Sequence, residues 1–443
     1  MTMEIKELYT IVRNSAGITT DSRSIRKGEI FFALRGPAHD GNRFAPAALA
    51  AGAAAAVVDD PSLAGKNIIL VDNVLATLTE LAKHHRRMIS IPVIAITGSN
   101  GKTTTKELIA AVLSKKGKVH RTTGNLNNHI GVPLTLLAAP DDTAYMVVEM
   151  GANHKGEIAA LCETAMPTIG IITNIGKAHI EGFGSLDDVR EAKSELYHWL
   201  RKNAGVAIYN EKSNTLKELI FNIVHKAVPY SDPYGTDLVV EAAEADGLYL
   251  KVKADYEGRI YTFTTNLFGS YNTDNVRAAM AVGVFLEVPF SDIIDAVSSY
   301  KPANNRSQVV NTGRNILICD SYNANPSSME KAINSFAGVS AEKKMVILGD
   351  MLELGSESEA AHDKVISDLK ALEGADITVV GPLFSAASER SGGVRSFAST
   401  QDLYKWLESH KPQCYYILVK GSRGMMLEKL YPYQSAGGTP LKG

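Results

Sequence analysis

The chain has 443 residues, a formal charge of −2 and 45% hydrophobic residues, material for about three domains rather than one core. The near balance of charge shows no basic excess for nucleic acid or an acidic membrane surface, which argues against those partners and for small-molecule chemistry. Cys162, Cys319 and Cys414 stand far apart without a C-x-x-C pair, so neither a disulfide framework nor a zinc site is indicated.

The start, Met1 to Glu7, lacks an apolar h-region, and the alanine-rich Ala45–Val58 run is broken by Gly52. It reads as a helix followed by a buried strand rather than a membrane span. The expectation is a cytoplasmic monomer with no membrane insertion. Residues 1–90 form a first unit, with a strand at Glu29–Leu34, a helix at Phe44–Ala51, and strands at Ala54–Val58 and Asn67–Val71. Before them, Thr20-Asp-Ser-Arg23 either presents Ser22 and Arg23 to a phosphorylated ligand or is a polar turn bonded to its own backbone.

A second unit, 91–306, opens with Pro92–Thr97, an apolar run that stops at Gly98 and restarts as a helical pattern from Lys106 to Lys115. The turn Gly98-Ser99-Asn100-Gly101-Lys102-Thr103-Thr104 aims backbone N–H groups and a positive helix end at one point, as a polyphosphate requires. Lys102 would reach the terminal phosphates and Thr103 would offer its hydroxyl to Mg²⁺. The loop is tighter than G-x-x-x-x-G-K-[ST], because Ile96 stands where that pattern has its first glycine. A nucleoside triphosphate is the expected ligand.

The polar loop Gly124–Pro133 carries Asn125, Asn127 and Asn128, whose amides either orient a substrate or satisfy turn carbonyls. The strand Tyr145–Glu149 meets its first charge at its carboxyl end, where open parallel sheets collect ligands; Glu149 either holds a metal there or caps a loop. His179, after the strand-like run Thr168–Asn174, is either a ligand or a satisfied structural histidine.

Ser185 starts a helix to about Leu200. Leu186, Val189, Lys193, Leu196 and Leu200 recur at spacings of three and four, which puts Lys193 in the apolar stripe. It either snorkels out or is buried as a neutral amine able to take up CO₂ as a carbamate. Alternating runs at 237–243, 247–254 and 259–267 predict an antiparallel meander attached to the parallel sheet. Asn275, near the start of the next helix, either contacts the nucleotide or merely begins that helix.

From 307 to 443, strands at Ile316–Asp320, Met345–Leu348, Ile377–Val380 and Tyr415–Val419 alternate with helices at Ser328–Phe336, Glu357–Leu372 and Thr400–His410, which predicts a doubly wound parallel sheet. The fold class is therefore α/β, with a small first domain, a central parallel-sheet domain and a Rossmann-like third.

Thr97–Thr104, Gly124–Asn128, Glu149–His154, His179–Gly184, Ala192-Lys193 and Asp320–Pro326 together resemble the Mur ligases of peptidoglycan synthesis, over nearly the whole chain. The resemblance implies a UDP-binding first domain, a central ATPase domain and a C-terminal domain bringing the amine. The member whose pattern includes Gly349–Gly355 adds D-Ala-D-Ala to UDP-N-acetylmuramoyl-tripeptide through an acyl phosphate. It implies ATP contacts for Asn275, Arg306, Asp320 and Asn323, Mg²⁺ held by Thr103 and Glu149, a second Mg²⁺ served by His179 and carbamylated Lys193, and a uridine-diphosphate site at Ser22 and Arg23. The chain departs from the family pattern at Tyr271, where histidine is frequent, and at Asn304-Asn305-Arg306, where Pro-Gly-Arg is usual. A sister ligase adding diaminopimelate would carry Asp-Asn-Pro-Arg, absent here. Folylpolyglutamate synthase shares the tight loop but lacks such a first domain, and an idle nucleotide-binding scaffold would need no metal set.

Overall fold

In the computed structural model, which describes residues 3–37, 39–63, 65–176, 180–243, 247–303, 305–370 and 372–434, each of the three units is built on its own parallel sheet. The first has strand order Ile18–Thr19, Ile30–Phe32, Ala55–Val58, Ile68–Leu70. Two helices not foreseen in the sequence, Ile5–Arg13 and Val74–Met88, pack on it and carry its apolar core into that of the central unit through Leu8, Leu78 and Leu81. Asn73 starts the longer of the two by accepting the N–H of Ala76, the usual satisfaction of a free first-turn amide.

The central sheet has six parallel strands in the order Ala227–Pro229, Val206–Tyr209, Ile169–Ile172, Val93–Thr97, Tyr145–Glu149, Val119–Arg121. The chain winds outward on both sides of Val93–Thr97, so the loop that follows this strand lies at the switch point where such sheets bind ligands. Register decides what surrounds that loop. Ile96 pairs with Glu149 on one side and Thr97 with Ile172 on the other. Glu149 and Thr173 are thereby delivered to the loop's two flanks.

The helix after the loop runs Lys102–Leu113, a full turn earlier than the apolar pattern predicts, because Thr103, Thr104, Thr105 and Lys106 are themselves buried. Helix Leu186–Lys202 begins at Ser185, whose side chain accepts the Asp188 N–H, and it ends with Arg201 and Lys202 against its negative pole. Its buried face includes Val189, Lys193, Leu196 and Leu200, but Leu186 is exposed and lies outside the stripe. The predicted meander, Leu238–Ala242, Lys251–Tyr256 and Arg259–Thr264, forms a separate antiparallel sheet rather than an extension of the parallel one. It is joined to the central unit by side chains, with Leu238, Val240 and Val252 packed among residues of helix Thr273–Phe285.

The third sheet runs Gln308–Asn311, Ile316–Asp320, Tyr416–Lys420, Lys344–Gly349, Ala375–Val380, Arg395–Phe397, all parallel except the first pair. The doubly wound order foreseen in the sequence holds, with the antiparallel edge strand added. The last long strand is inserted between two earlier ones, so that Lys420 is the register partner of both Asp320 and Leu348. Among the described residues no helix is long and apolar enough to cross a membrane.

Leu196 is fully buried in the core shared by the first two units. Leu196→Ala should cost about 2–5 kcal/mol through lost burial and the cavity left behind, read as a lower urea midpoint.

Candidate active site

The loop Gly98–Thr104 is held open from both sides. Gly98 and Gly101 have φ of +138° and +82°, backbone that disfavours any side chain. A Cβ would also lie 2.1 Å from Thr173 Oγ1 at the first and 2.4 Å from Asn275 Oδ1 at the second. Thr173 Oγ1 donates to the Asn100 carbonyl (2.6 Å), the Asn100 N–H donates to Asn174 Oδ1 (3.0 Å), and Ser99 Oγ donates to the Gly176 carbonyl (2.8 Å). Lys102 Nζ curls back to the Gly98 carbonyl at 2.6 Å. Burial pushes its pKa down, Glu149 opposes that shift and Arg306 adds to it.

Beneath the loop lies a buried charge cluster. Thr103 Oγ1 donates to Glu149 Oε2 at 2.8 Å, and Asn127 Nδ2 donates to Oε1 at 2.8 Å. Lys106 Nζ donates to the Thr122 carbonyl at 2.6 Å and stands 3.7 Å from Glu149 Oε2 and 3.1 Å from Glu107. Burial alone would raise the Glu149 pKa, but Lys106, Lys102, Arg306 and the Asn127 amide outweigh it and hold the carboxyl below its ordinary value. Lys106, which sequence reasoning missed, is 1% exposed. Its signal was an isolated cation inside a run that must pack on the sheet.

Above the loop the third unit closes a cavity of about 470 Å³. Its lining brings together Ser99–Thr104, Asn125, Asn127, Asn128, Glu149, Asn275, Arg306, Asp320 and Asn323, all singled out in the sequence. Asn275 is locked from two sides, since Thr105 Oγ1 donates to its Oδ1 and its Nδ2 donates to Asn272 Oδ1. Asn128 also has a structural duty: its Oδ1 accepts the N–H groups of Ile130 and Gly131, opening helix Gly131–Leu137. Asp320 accepts from the Ser307 N–H (3.0 Å) and from Lys420 Nζ (2.7 Å). Asn323 Oδ1 accepts the Ala324 N–H, and Arg306 stacks on Tyr322 with Cζ 3.7 Å from the ring centroid. Tyr271, at the position of the family's histidine, shares a hydrogen bond with Ser307 Oγ (2.9 Å).

The bridge between the two units is Asn325, whose Nδ2 donates to Asn100 Oδ1 at 2.7 Å while its Oδ1 caps helix Pro326–Ala337. Neither Asn325 nor Lys420 was anticipated. The signal for Lys420 was the one that worked for Glu149, a single charge ending an apolar strand.

Lys193 is 2% exposed, with Nζ 3.5 Å from the Ala152 carbonyl and 5.2 Å from the Phe183 ring centre. It is buried, not snorkelled. Burial, then Lys102, push its pKa down to about 7, with Glu157 and Glu195 opposing. His179 lies outside the described residues. Ser22 and Arg23 are not part of the cavity; Arg23 is exposed and pairs with Asp21 at 2.8 Å, and its N–H also donates to Asp21 Oδ1, the turn bonding weighed above. The Arg23 side chain, followed by its backbone N–H, lowers the Asp21 pKa to about 2.

Residues 96–283 match the Mur ligase middle domain, 305–423 the Mur ligase glutamate ligase domain, and 14–93 the Mur ligase family catalytic domain. A UDP-N-acetylmuramoyl-tripeptide--D-alanyl-D-alanine ligase of Bacillus subtilis is 34% identical over 94% of this chain and 92% of its own. The chain belongs to the Mur ligase family. Its fold agrees with that of MurF from Acinetobacter baumannii, with a TM-score of 0.83 and 32% identity over 94% of this chain and 92% of that one. It also agrees with MurF ligase from Thermotoga maritima in complex with ADP, at TM-score 0.81 and 25% identity over 94% and 96%. In this Mur ligase the phosphate loop, the Glu149 cluster and the C-terminal sheet edge meet in one cavity.

Gly101→Ala places a methyl group against the Asn275 amide in strained backbone. Thermal unfolding should show a loss of about 1–3 kcal/mol, smaller if Asn275→Ala is introduced with it.

Proposed function

We propose that this chain joins D-Ala-D-Ala to UDP-N-acetylmuramoyl-tripeptide at the expense of ATP, as the named relatives do. The observation that carries the reading is the meeting, in one cavity, of a phosphate loop with the strand ends of a second α/β domain. Phosphoryl transfer and acyl transfer both depend on such positioning. The γ-phosphoryl group of ATP passes to the terminal carboxylate of the tripeptide, giving ADP and an acyl phosphate. The dipeptide amine then attacks the acyl carbon, loses a proton, and phosphate leaves.

The chain's residues divide this work. N–H groups of Gly98–Thr104 receive the phosphates, and Lys102 turns from the Gly98 carbonyl to the transferring group. Asn275, Arg306, Asp320 and Asn323 hold the nucleotide, while Asn125, Asn127 and Asn128 face the tripeptide. Ser22 and Arg23 serve the uridine diphosphate, in a first domain spanning 1–90, with the remaining boundary near 306. Thr103 and Glu149 present adjacent hard oxygens, and no group of three His, Cys, Asp or Glu occurs among the described residues. That donor set suits Mg²⁺, which keeps waters and phosphate oxygens in its shell. When bound, Mg²⁺ offsets the charge of the phosphoryl group in transfer.

Lys193 serves as a carbamate: its neutral Nζ attacks CO₂ and loses a proton, leaving an anion that, with His179, would hold a second Mg²⁺. An amine buried at this depth is poised for that reaction near neutral pH.

Lys102→Ala should lower phosphate release that depends on both UDP-tripeptide and D-Ala-D-Ala by at least about a hundredfold with an unchanged circular dichroism spectrum. Near-normal turnover would refute the role. Competition with lysine or diaminopimelate should leave D-Ala-D-Ala the preferred amine. For Lys193, ¹³C-bicarbonate should give a carbamate resonance at pH 8 that fades toward pH 6, as the amine protonates below its pKa of about 7. Lys193→Met should lack that resonance at both pH values, and a signal that persists in the variant would assign it elsewhere.

A further inference from the structure

Helix Glu157–Ala165 follows the loop that leaves Glu149, and the residue before it, Gly156, has no side chain with which to cap it. The free N–H groups of a first turn need acceptors. Glu195 provides them from helix Leu186–Lys202. The Gly156 N–H donates to Glu195 Oε1 at 2.6 Å and the Ala159 N–H donates to Oε2 at 2.8 Å, across 39 and 36 positions of chain. A carboxylate with each oxygen on a backbone N–H, at the positive end of a helix, is a strong anchor. Glu191 and Asp188, about one and two turns earlier on the same side of their helix, take Lys155 at 2.6 and 2.5 Å. Lys155 is 44% exposed, and ion pairs in solvent hold little.

The loop anchored in this way, residues 151–156, meets the candidate site at its other end. The Gly151 N–H donates to the Asn127 carbonyl at 2.8 Å, and a Cβ on Gly151 would be 3.0 Å from the Asn127 amide. The next carbonyl, that of Ala152, stands 3.5 Å from Lys193 Nζ. Asn153 then lies against the segment Ile180–Phe183, where a Cβ on Gly182 would be 2.7 Å from its carbonyl oxygen. Helix Leu186–Lys202 therefore engages this loop twice, through Lys193 at Ala152 and through Glu195 at Gly156.

Given the carbamate reading of Lys193, on which this rests, we infer that Glu195 is a positioning residue that sets the Ala152 carbonyl against Lys193. A carbamate keeps one hydrogen on Nζ, and a buried N–H needs an acceptor. Donation to the Ala152 carbonyl fixes the plane of the carbamate and so the direction in which its two oxygens face. Glu195 does not line the cavity and acts only through the loop. Its charge works the other way. Glu195 is near enough to act on the Lys193 charge, and one anion disfavours a second beside it. Removing the charge alone strengthens carbamate formation, whereas losing the anchor weakens it.

The test compares wild type, Glu195→Gln and Glu195→Ala at one fixed pH and bicarbonate concentration. The carbamate resonance from ¹³C-bicarbonate is read in Mg²⁺-free protein, and phosphate release is followed with Mg²⁺ present. Glu195→Ala should show less than about half the wild-type resonance and a kcat lower by about 10- to 100-fold, with KM for ATP within about twofold. Glu195→Gln, which keeps one acceptor oxygen in place, should fall between wild type and Glu195→Ala on both measures. A resonance in either variant equal to or stronger than that of wild type, or a loss that falls on KM for ATP, overturns the positioning role alone. A wild type without the resonance, or a resonance that persists in Lys193→Met, overturns the carbamate reading and this inference with it.

Discussion

Glu149 is an ionised carboxylate almost without solvent, and its state depends on Lys106, Thr103 and Asn127. A buried charge is tolerable only when its partners are in place, and removing one partner leaves the other uncompensated. Lys106 lies on the helix that the phosphate loop begins, and Glu149 ends the neighbouring strand, so the cluster ties loop, helix and sheet into one rigid unit. The pairing of Ile96 with Glu149 is therefore more than a sheet detail. A slip of one residue would turn the carboxylate to the other face of the sheet.

The same logic recurs across the domain boundary. Lys420 and Asp320 are register partners on adjacent parallel strands, and their ion pair fixes the carboxylate whose other oxygen accepts the Ser307 N–H of the inter-domain link. Asn325 caps its own helix and reaches the phosphate loop with the same side chain. The Glu149 and Asp320 clusters are each satisfied within one unit, and the Asn325–Asn100 hydrogen bond joins the two units where those clusters meet.

Lys193 shows burial used differently. Its stripe position places an amine against Phe183 and the Ala152 carbonyl, and among the described residues it forms no salt bridge with a carboxylate. The protein does not neutralise that ammonium by pairing, so the balance shifts toward the free amine.

Most strands and helices could be read from the sequence because their causes are local: β-branched runs bounded by turns, spacings of three and four, and caps such as Ser185. The loop glycines, Lys102, Thr103 and Glu149 were legible for the same reason, since a strand, a turn and a helix in succession already determine where a phosphate would sit. Helices Ile5–Arg13 and Val74–Met88 escaped notice because they are short or rich in polar residues, and their apolar stripes make sense only against the sheet they cover. Asn325 and Lys420 took on their roles only through partners far along the chain. Asn325 and Asn100 are 225 positions apart, and Lys420 and Asp320 are 100. Local sequence determined the three α/β units and the phosphate loop; which distant side chains would converge on that loop was decided by strand order and register, because a parallel sheet places residues by their level on the strand and not by their distance along the chain.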